Sequence, residues 1–147
     1  MADFLTALQI SGSGLSAQRT RVDVAASNLA NAESTRGPDG LPYRRRDPVL
    51  GEANPNPGAG SLASFDASLA ESSGVEVKQI VEDPTPGKKV YAPGHPDADR
   101  DGFVVFPNVN PVHETVNLLS ASRGYEANAS AVDTLKSMAQ RALDIAR

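Results

Sequence analysis

The sequence predicts a mainly α-helical protein with a small inserted β subdomain (α+β). Long N- and C-terminal helices are expected to pair as a coiled coil on either side of a Pro/Gly-rich, β-containing middle segment. All 11 prolines and 9 of the 12 glycines lie between residues 33 and 111, and both flanks lack proline. Proline removes a backbone donor and clashes with the preceding helical turn, so its absence permits a long helix at each end. The predicted organisation is a core helix over 1–32, an inserted subdomain over 33–111 and a second core helix over 112–147.

The N-terminal helix carries an apolar seam with coiled-coil spacing. Four large apolar residues recur every seven positions: Leu8, Leu15, Val22 and Leu29. Residues between them extend the pattern in alternating steps of four and three. Such a narrow stripe is typical of a helix that pairs with another helix. Two glycines within Ser11–Gly14 each cost about 1 kcal/mol relative to alanine, so we expect a kink or a local loosening of the helix there. Asn28 and Asn31 lie near the predicted end, where a short polar side chain can cap the helix.

The middle segment contains short runs that alternate like strands. The predicted strands are Pro42–Leu50, Gly74–Glu82, Lys88–Tyr91 and Gly102–Phe106. Asp83–Gly87 contains two prolines and a glycine, and it is expected to form a hairpin connection between two of these strands. Gly51–Ser64 has few apolar residues and is expected to be a mobile loop.

The C-terminal helix repeats the seam. Together with the N-terminal seam, it provides the residues that we expect to contact other subunits: Leu8, Leu15, Val22, Leu29, Asn28, Asn31, Leu118, Tyr125, Asn128, Val132, Leu135 and Met138. Helices of these lengths span roughly 46 and 52 Å, whereas a compact globule of this size has a diameter of roughly 38 Å. The helices would therefore extend beyond a compact globule, and part of their surface would be available to neighbouring subunits. The pattern fits either an extended two-helix protein that dimerises or a subunit of a packed helical assembly.

Composition excludes several chemistries. Cysteine is absent and the formal net charge is −4, so disulfides, thiolate chemistry and a clustered basic face for nucleic acid are not expected. The run Arg44–Arg46 is expected to be solvated or to form subunit salt bridges. Asp97, Asp99 and Asp101 match the opening of a calcium loop, but Asn108 replaces the bidentate glutamate at its twelfth position. A calcium- or ligand-binding module on a dimeric coiled-coil stalk is the less favoured alternative. No catalytic site, cofactor, metal or small-molecule substrate is predicted.

Several motifs resemble the bacterial flagellar axial proteins, the family of rod, hook and hook-associated subunits. The chain resembles the N-terminal signature that these proteins share at Ser13-Gly-Leu-Ser-Ala-Gln-Arg19 and at Asn28-Leu-Ala-Asn-Ala32. It resembles their shared C-terminal signature at Ala121-Ser-Arg-Gly-Tyr-Glu-Ala-Asn128. The middle segment is similar to that of one group of basal-body rod proteins. It is not similar to the middle segment of the shorter rod proteins in the same family. It carries this resemblance in Ile80-Val-Glu-Asp-Pro84, Lys89-Val-Tyr91, Pro93-Gly-His-Pro-Asp-Ala-Asp99 and Pro107-Asn-Val-Asn110.

The resemblance implies a structural subunit of the proximal rod, the drive shaft that transmits torque from the MS ring to the hook. The implied partners are further copies of the chain, the rod proteins FlgB and FlgF, the junction protein FliE with the MS ring, and the flagellar type III export apparatus. The implied location is the periplasmic rod of the basal body, reached from the cytoplasm without a cleaved signal peptide. Another rod or hook-like axial subunit is the alternative within the same family.

Overall fold

The computed structural model describes residues 2–53 and 74–145, with two long helices and four strands. In chain order these are α1 (Ala2–Ala30), β1 (Arg46–Glu52), β2 (Val75–Glu82), β3 (Lys88–Tyr91), β4 (Phe103–Phe106) and α2 (Pro111–Ile145). This agrees with the predicted α+β class. Most of the predicted loop Gly51–Ser64 lies outside the described residues, and its first two residues belong to β1. In the part of the chain described here, neither helix holds an apolar stretch long enough to cross a membrane.

Helix α1 is continuous through Ser11–Gly14, and the kink or local loosening expected there stays a prediction. The hydroxyl of Ser13 donates to the carbonyl of Ile10 at 2.7 Å, a local bond that the helix accommodates. The helix ends at Ala30. There the Asn31 side chain donates to the Ser27 carbonyl at 2.9 Å and accepts from the Ser34 hydroxyl at 3.1 Å.

Helix α2 begins at Pro111, one residue before the expected start. Asn110 is its N-cap, because its side-chain oxygen accepts from the backbone N–H groups of Val112 at 3.0 Å and His113 at 3.4 Å. Proline suits the first helical position, where its missing N–H would have had no helical partner.

The four strands form two separate two-stranded sheets, β1 with β2 and β3 with β4. Strands β3 and β4 are antiparallel, with Lys88 opposite Phe106 and Tyr91 opposite Phe103. The hairpin connection expected at Asp83–Gly87 is wrong, because this segment leads from one sheet to the other. Its two prolines cannot donate to a ladder, and the Asp83 carboxylate instead accepts from the backbone N–H of Thr85 at 2.8 Å.

The chain divides into two compact units, and each draws on both helices. One comprises residues 1–20, 50–78 and 121–147. Small residues allow close approach in it: a β-carbon added at Gly14 would lie 3.0 Å from the Asn128 side chain, and Ala17 and Ala121 are buried. The Ser13 hydroxyl also accepts from the Val75 backbone N–H at 3.0 Å.

The other unit comprises residues 21–49 and 79–120. Its buried apolar residues are Val24, Ala25 and Val104. Two polar side chains, Asn28 and Glu114, are each only 1% exposed. Burial of polar groups is costly unless they are hydrogen-bonded, so their partners define how this unit holds together.

Gly87→Ala is expected to lower the free energy of unfolding by about 1–3 kcal/mol, because a β-carbon at residue 87 would collide with the Phe106 carbonyl oxygen. Gly94→Ala is the matched control, since a β-carbon there would meet no atom within 4 Å. Urea denaturation of the purified variants measures both. An equal loss in the two variants, or no loss in Gly87→Ala, would contradict this packing.

Candidate assembly site: a buried polar cluster and the exposed helix faces

A buried polar cluster joins the last turns of α1, the first turn of α2 and the segment that leads into β1. Asn28 comes from α1, Glu114 from α2, and Tyr43, Arg45 and Arg46 from the segment between them. The N-cap at Asn110 starts α2 so that Glu114 falls in its first turn. All five residues belong to the second unit.

The Asn28 side chain makes every hydrogen bond that a carboxamide can make. Its Nδ2 donates to the Arg46 carbonyl at 2.8 Å and to Glu114 Oε2 at 3.0 Å. Its Oδ1 accepts from the Arg46 backbone N–H at 3.0 Å and from the Tyr43 hydroxyl at 2.9 Å. Because both backbone groups of Arg46 are bound, the Asn28 amide pairs with the chain as a neighbouring strand would.

Glu114 is ionised within this cluster. Burial by itself opposes the charge, but hydrogen bonds from Asn28 and Arg45, together with the positive charge of Arg45, lower the pKa of Glu114 below its ordinary value. Arg45 Nε donates to Glu114 Oε1 at 2.7 Å. Both carboxylate oxygens are therefore satisfied by charge-assisted or amide donors.

Arg45 also fixes the path of the main chain around it. Its guanidinium pairs with the Asp47 carboxylate, and its Nη2 donates to Asp47 Oδ1 at 2.9 Å. Its backbone N–H donates to Asn108 Oδ1 at 3.0 Å, and its carbonyl accepts from the Asp83 N–H at 2.8 Å. Arg45 is thus engaged within its own chain rather than solvated. Arg46 pairs with Glu82 at 3.1 Å on the surface.

An open cleft of about 300 Å³ lies beside the cluster. Its wall includes Arg21, His113 and Asn117, and the buried Asn28 and Glu114 contribute to it. The carboxylate and the amide already have their hydrogen-bond partners. The arrangement therefore positions backbone segments and offers no activated nucleophile.

Two aspartates of the calcium-like loop, Asp97 and Asp99, accept hydrogen bonds from the protein itself. Asp99 Oδ1 accepts from the backbone N–H groups of Asp101 at 3.0 Å and Phe103 at 2.9 Å. Asp97 accepts from the Thr35 hydroxyl at 2.8 Å. Within residues 2–53 and 74–145, no group of three or more His, Asp or Glu side chains is placed to hold a metal ion.

The seam residues expected to contact other subunits have very different exposures within the chain. Asn28 is buried, and seven others are half-buried: Leu15, Val22, Asn31, Leu118, Asn128, Val132 and Leu135. The remaining four are exposed: Leu8 and Leu29 at 37%, Tyr125 at 43% and Met138 at 60%. On α1 the buried positions are Ala17, Val24, Ala25 and Asn28. Ala25 continues the four-and-three spacing of the seam, but none of the four large seam residues Leu8, Leu15, Val22 and Leu29 is buried. Pairing as a coiled coil and contact with other subunits stay predictions.

Helix α2 exposes an apolar stripe that the sequence analysis did not single out. Val112 is 73% exposed, Val116 58% and Leu119 52%, and their spacing of four and three places them on one face of the helix. Large apolar side chains grouped on one exposed face are a feature that interaction surfaces share.

Glu114, Arg45 and Tyr43 were also missed as cluster members. A glutamate in the first turn of a capped helix is a common surface feature, and it gives no sign of burial. The only hint in the sequence was Asn28 itself, a polar residue beside apolar seam positions.

Asn28→Asp is expected to destabilise the chain by about 3 kcal/mol or more. The new carboxylate oxygen would replace the Nδ2 donor, so it would face the Arg46 carbonyl and the Glu114 carboxylate without a proton to share. Asn31→Asp is the control, because the Asn31 side chain bonds only within its own turn. Urea denaturation at pH 7 compares them. Equal losses of unfolding free energy in the two variants would contradict a larger contribution from the Asn28 hydrogen bonds than from those of Asn31.

Acid should remove the stabilisation that Glu114 supplies. The folded state favours its ionised form, so this stability is fully present above the unfolded pKa of about 4.5 and is lost as the pH falls through the lower folded value. Glu114→Gln should be less stable than the parent at pH 7, and the difference should shrink at pH 3. Denaturation at several pH values measures this; a difference that is constant with pH would contradict the assignment.

Two family models match the ends of the chain. The model for "Flagella basal body rod protein" matches residues 8–38, and the model for "Flagellar basal body rod FlgEFG protein C-terminal" matches residues 100–145. Each matched range contains most of one helix. Flagellar rod patterns are therefore present at both ends.

Relatives match along the whole chain. The flagellar basal-body rod protein FlgC of Escherichia coli O6:H1 is 45% identical over 141 residues, which is 96% of both chains. FlgC of Salmonella typhimurium is 44% identical over 142 residues, with the same coverage. FlgC of Bacillus subtilis is 39% identical over 144 residues, which is 95% of this chain and 96% of the relative. These relatives are structural rod proteins and not enzymes, and the resemblance noted in the sequence is confirmed. The chain belongs to the FlgC family of flagellar basal-body rod proteins.

Proposed function

We propose that this chain is a structural subunit of the proximal rod and that it joins its neighbours through the exposed faces of its terminal helices. The observation that carries the proposal is the Val112, Val116 and Leu119 stripe, whose side chains are all more than half exposed. Family membership supplies the assembly in which such a surface would be covered.

The physical basis is the burial of apolar surface between subunits. Burial stabilises by about 25 cal/mol per Å² of apolar surface, and a helix of one chain gains little from a stripe that faces water. In a helical assembly each stripe meets another subunit, so the same side chains stabilise the lattice rather than the monomer.

The leucine seam of α1 offers a second contact surface. Leu8 and Leu29 are exposed while Leu15 and Val22 are half-buried, so this seam is only partly used within the chain. Of the twelve predicted contact residues, the eleven that are exposed or half-buried are proposed to act between subunits. Asn28 is left out of this proposal, because its side chain is buried and fully hydrogen-bonded within its own chain. Helices α1 and α2 would form the coiled-coil core of the rod. Residues 33–111 would form the subdomain that is inserted between the two helices of each chain.

The partners and location follow from the same proposal. The chain would contact further copies of itself, the rod proteins FlgB and FlgF, and FliE with the MS ring. It would reach the periplasm through the type III export apparatus without a cleaved signal peptide. As part of the rod it would transmit torque from the MS ring to the hook.

Val116→Asp and Leu119→Asp test the stripe. Each variant would be expressed in a motile bacterium whose own FlgC-family gene is deleted. We expect purified Val116→Asp to keep the unfolding free energy of the parent within about 0.5 kcal/mol, because the site is exposed. We also expect swimming in soft agar to be lost, because a charge in the buried contact blocks assembly.

Ser120→Asp is the matched control, since Ser120 is an exposed polar neighbour on the same helix. It should swim like the parent. Immunoblots of purified hook–basal bodies then show whether each variant enters the rod. Normal swimming by both stripe variants would refute the role of this face, and absence of the parent chain from basal bodies would refute the proposed function.

A further inference from the structure

The first half of α1 carries no charged side chain on any face. No Asp, Glu, Lys or Arg occurs from Phe4 to Gln18, although 22% of the chain is charged. A helix that faces water on one side normally carries charged residues there. The exposed residues of this stretch instead include Leu5, Leu8, Gly12 and Ser16, which follow one another in steps of three and four and therefore share one face. We call these four residues the outer face of α1.

Gly12 makes no close contact with the part of its own chain that the structure describes. A β-carbon added at Gly12 would meet no described atom within 4 Å. The other two glycines of the helices differ: a β-carbon at Gly14 would lie 3.0 Å from the Asn128 side chain, and one at Gly124 would lie 2.8 Å from that of Gln18. Both of these glycines therefore lie where α1 and α2 of one unit approach each other closely.

The outer face points away from that internal contact. Residues 12 and 14 of a helix are separated by roughly 200° around its axis, so Gly12 and Gly14 are on nearly opposite sides. Glycine destabilises the interior of a helix relative to alanine, and an exposed glycine with open space around it gains nothing in return from its own chain. Its missing β-carbon would be used where a second helix approaches the backbone from outside.

A lipid surface does not suit this face. Helices that lie in a membrane interface combine an apolar face with a polar face that is rich in Lys and Arg, and Phe4–Gln18 contains neither residue type. Membership of a rod family supplies further copies of the chain as neighbours. The occupant that fits is therefore a helix of a second copy.

Charge distribution selects one surface of α2 as that occupant. Val116 and Leu119 lie within Thr115–Ser122, which contains no charged residue. The other large exposed residues of α2 have charged neighbours, as Tyr125 has in Arg123 and Glu126. A close contact at those sites would remove charges from water without partners. The Val112, Val116 and Leu119 stripe can approach an uncharged helix without that cost, and its large side chains can fill the space beside Gly12.

Symmetry favours the same choice. Contact between the outer faces of two α1 helices would use one surface twice, and such an isologous contact closes on itself as a pair. Contact between the outer face of one copy and the α2 stripe of another uses two different surfaces. Each copy then keeps one of the two surfaces free for the next copy, so the assembly is open-ended.

We propose that α2 of a second copy crosses the outer face of α1 at Gly12, with its Val112, Val116 and Leu119 stripe against the glycine. The inference rests on the proposed function, because copies must be neighbours in the rod. It adds to that function the surface that receives the stripe.

Substitution of Gly12 separates assembly from folding. Purified Gly12→Ala should have a higher urea midpoint than the parent, because alanine favours the helix and meets no described atom. Gly12→Leu should fold, but its amount in purified hook–basal bodies should fall about tenfold or more, because the added side chain occupies the space of the stripe. Ala26→Leu is the matched control, since Ala26 is exposed on α1 outside the outer face. Equal amounts of the two leucine variants in basal bodies would overturn the role of Gly12.

Cysteine cross-linking tests the occupant, since the chain has no cysteine of its own. Ser16→Cys and Val116→Cys are produced together as separate chains in the deletion strain, and intact hook–basal bodies are treated with a short bis-maleimide. We expect a covalent dimer that requires both variants. Ser16→Cys with Met138→Cys is the control, because Met138 is exposed on α2 outside the stripe.

Each result has one meaning. A dimer of Ser16→Cys with itself, or a stronger one with Met138→Cys, would overturn the stripe as the occupant. Absence of dimer from rods that contain both chains would overturn this contact and leave the proposed function standing. Absence of the parent chain from basal bodies would overturn both.

Discussion

The side chain of Asn28 pairs with both backbone groups of Arg46 and also donates to the buried carboxylate of Glu114. An amide that binds the N–H and the carbonyl of one residue fixes both the distance and the direction of that backbone segment relative to the helix. An apolar contact cannot do this. The side chains of Asn28 and Glu114 are buried, so loss of one of them leaves the other without a hydrogen bond where water cannot easily replace it. The end of α1, the start of α2 and the entry to β1 are therefore positioned together.

The same cluster orients the turn that carries Leu41. Tyr43 donates its hydroxyl to Asn28, and its backbone N–H donates to the Ser34 carbonyl at 3.2 Å. These bonds hold the chain just after Pro42, while the bond between Gly37 and Leu41 closes the turn. The turn is therefore held at both ends, and one of these ends is anchored to the inner polar cluster through Tyr43.

Three alanines are among the buried positions of the helices, whereas many large apolar residues of the helices are exposed. Ala17, Ala25 and Ala121 are buried, whereas Leu8, Val116 and Met138 face outward. A single chain with so few large side chains in its interior gains little from hydrophobic burial. Such a distribution is consistent with the proposal that these exposed side chains are covered by neighbouring subunits.

The sequence by itself determined that each end of the chain is helical, where the strands lie to within a few residues, and that the chain belongs to the flagellar rod family. Proline exclusion and apolar spacing are local properties, and motifs along the chain carry the family resemblance. Only the tertiary structure decided which strands pair, since two prolines near Thr85 redirect the chain between sheets without changing strand propensity. It also decided that Asn28 rather than Leu29 faces inward and that Glu114 is buried. These outcomes depend on hydrogen bonds between residues as far apart as 28 and 114, and no local pattern encodes such partners.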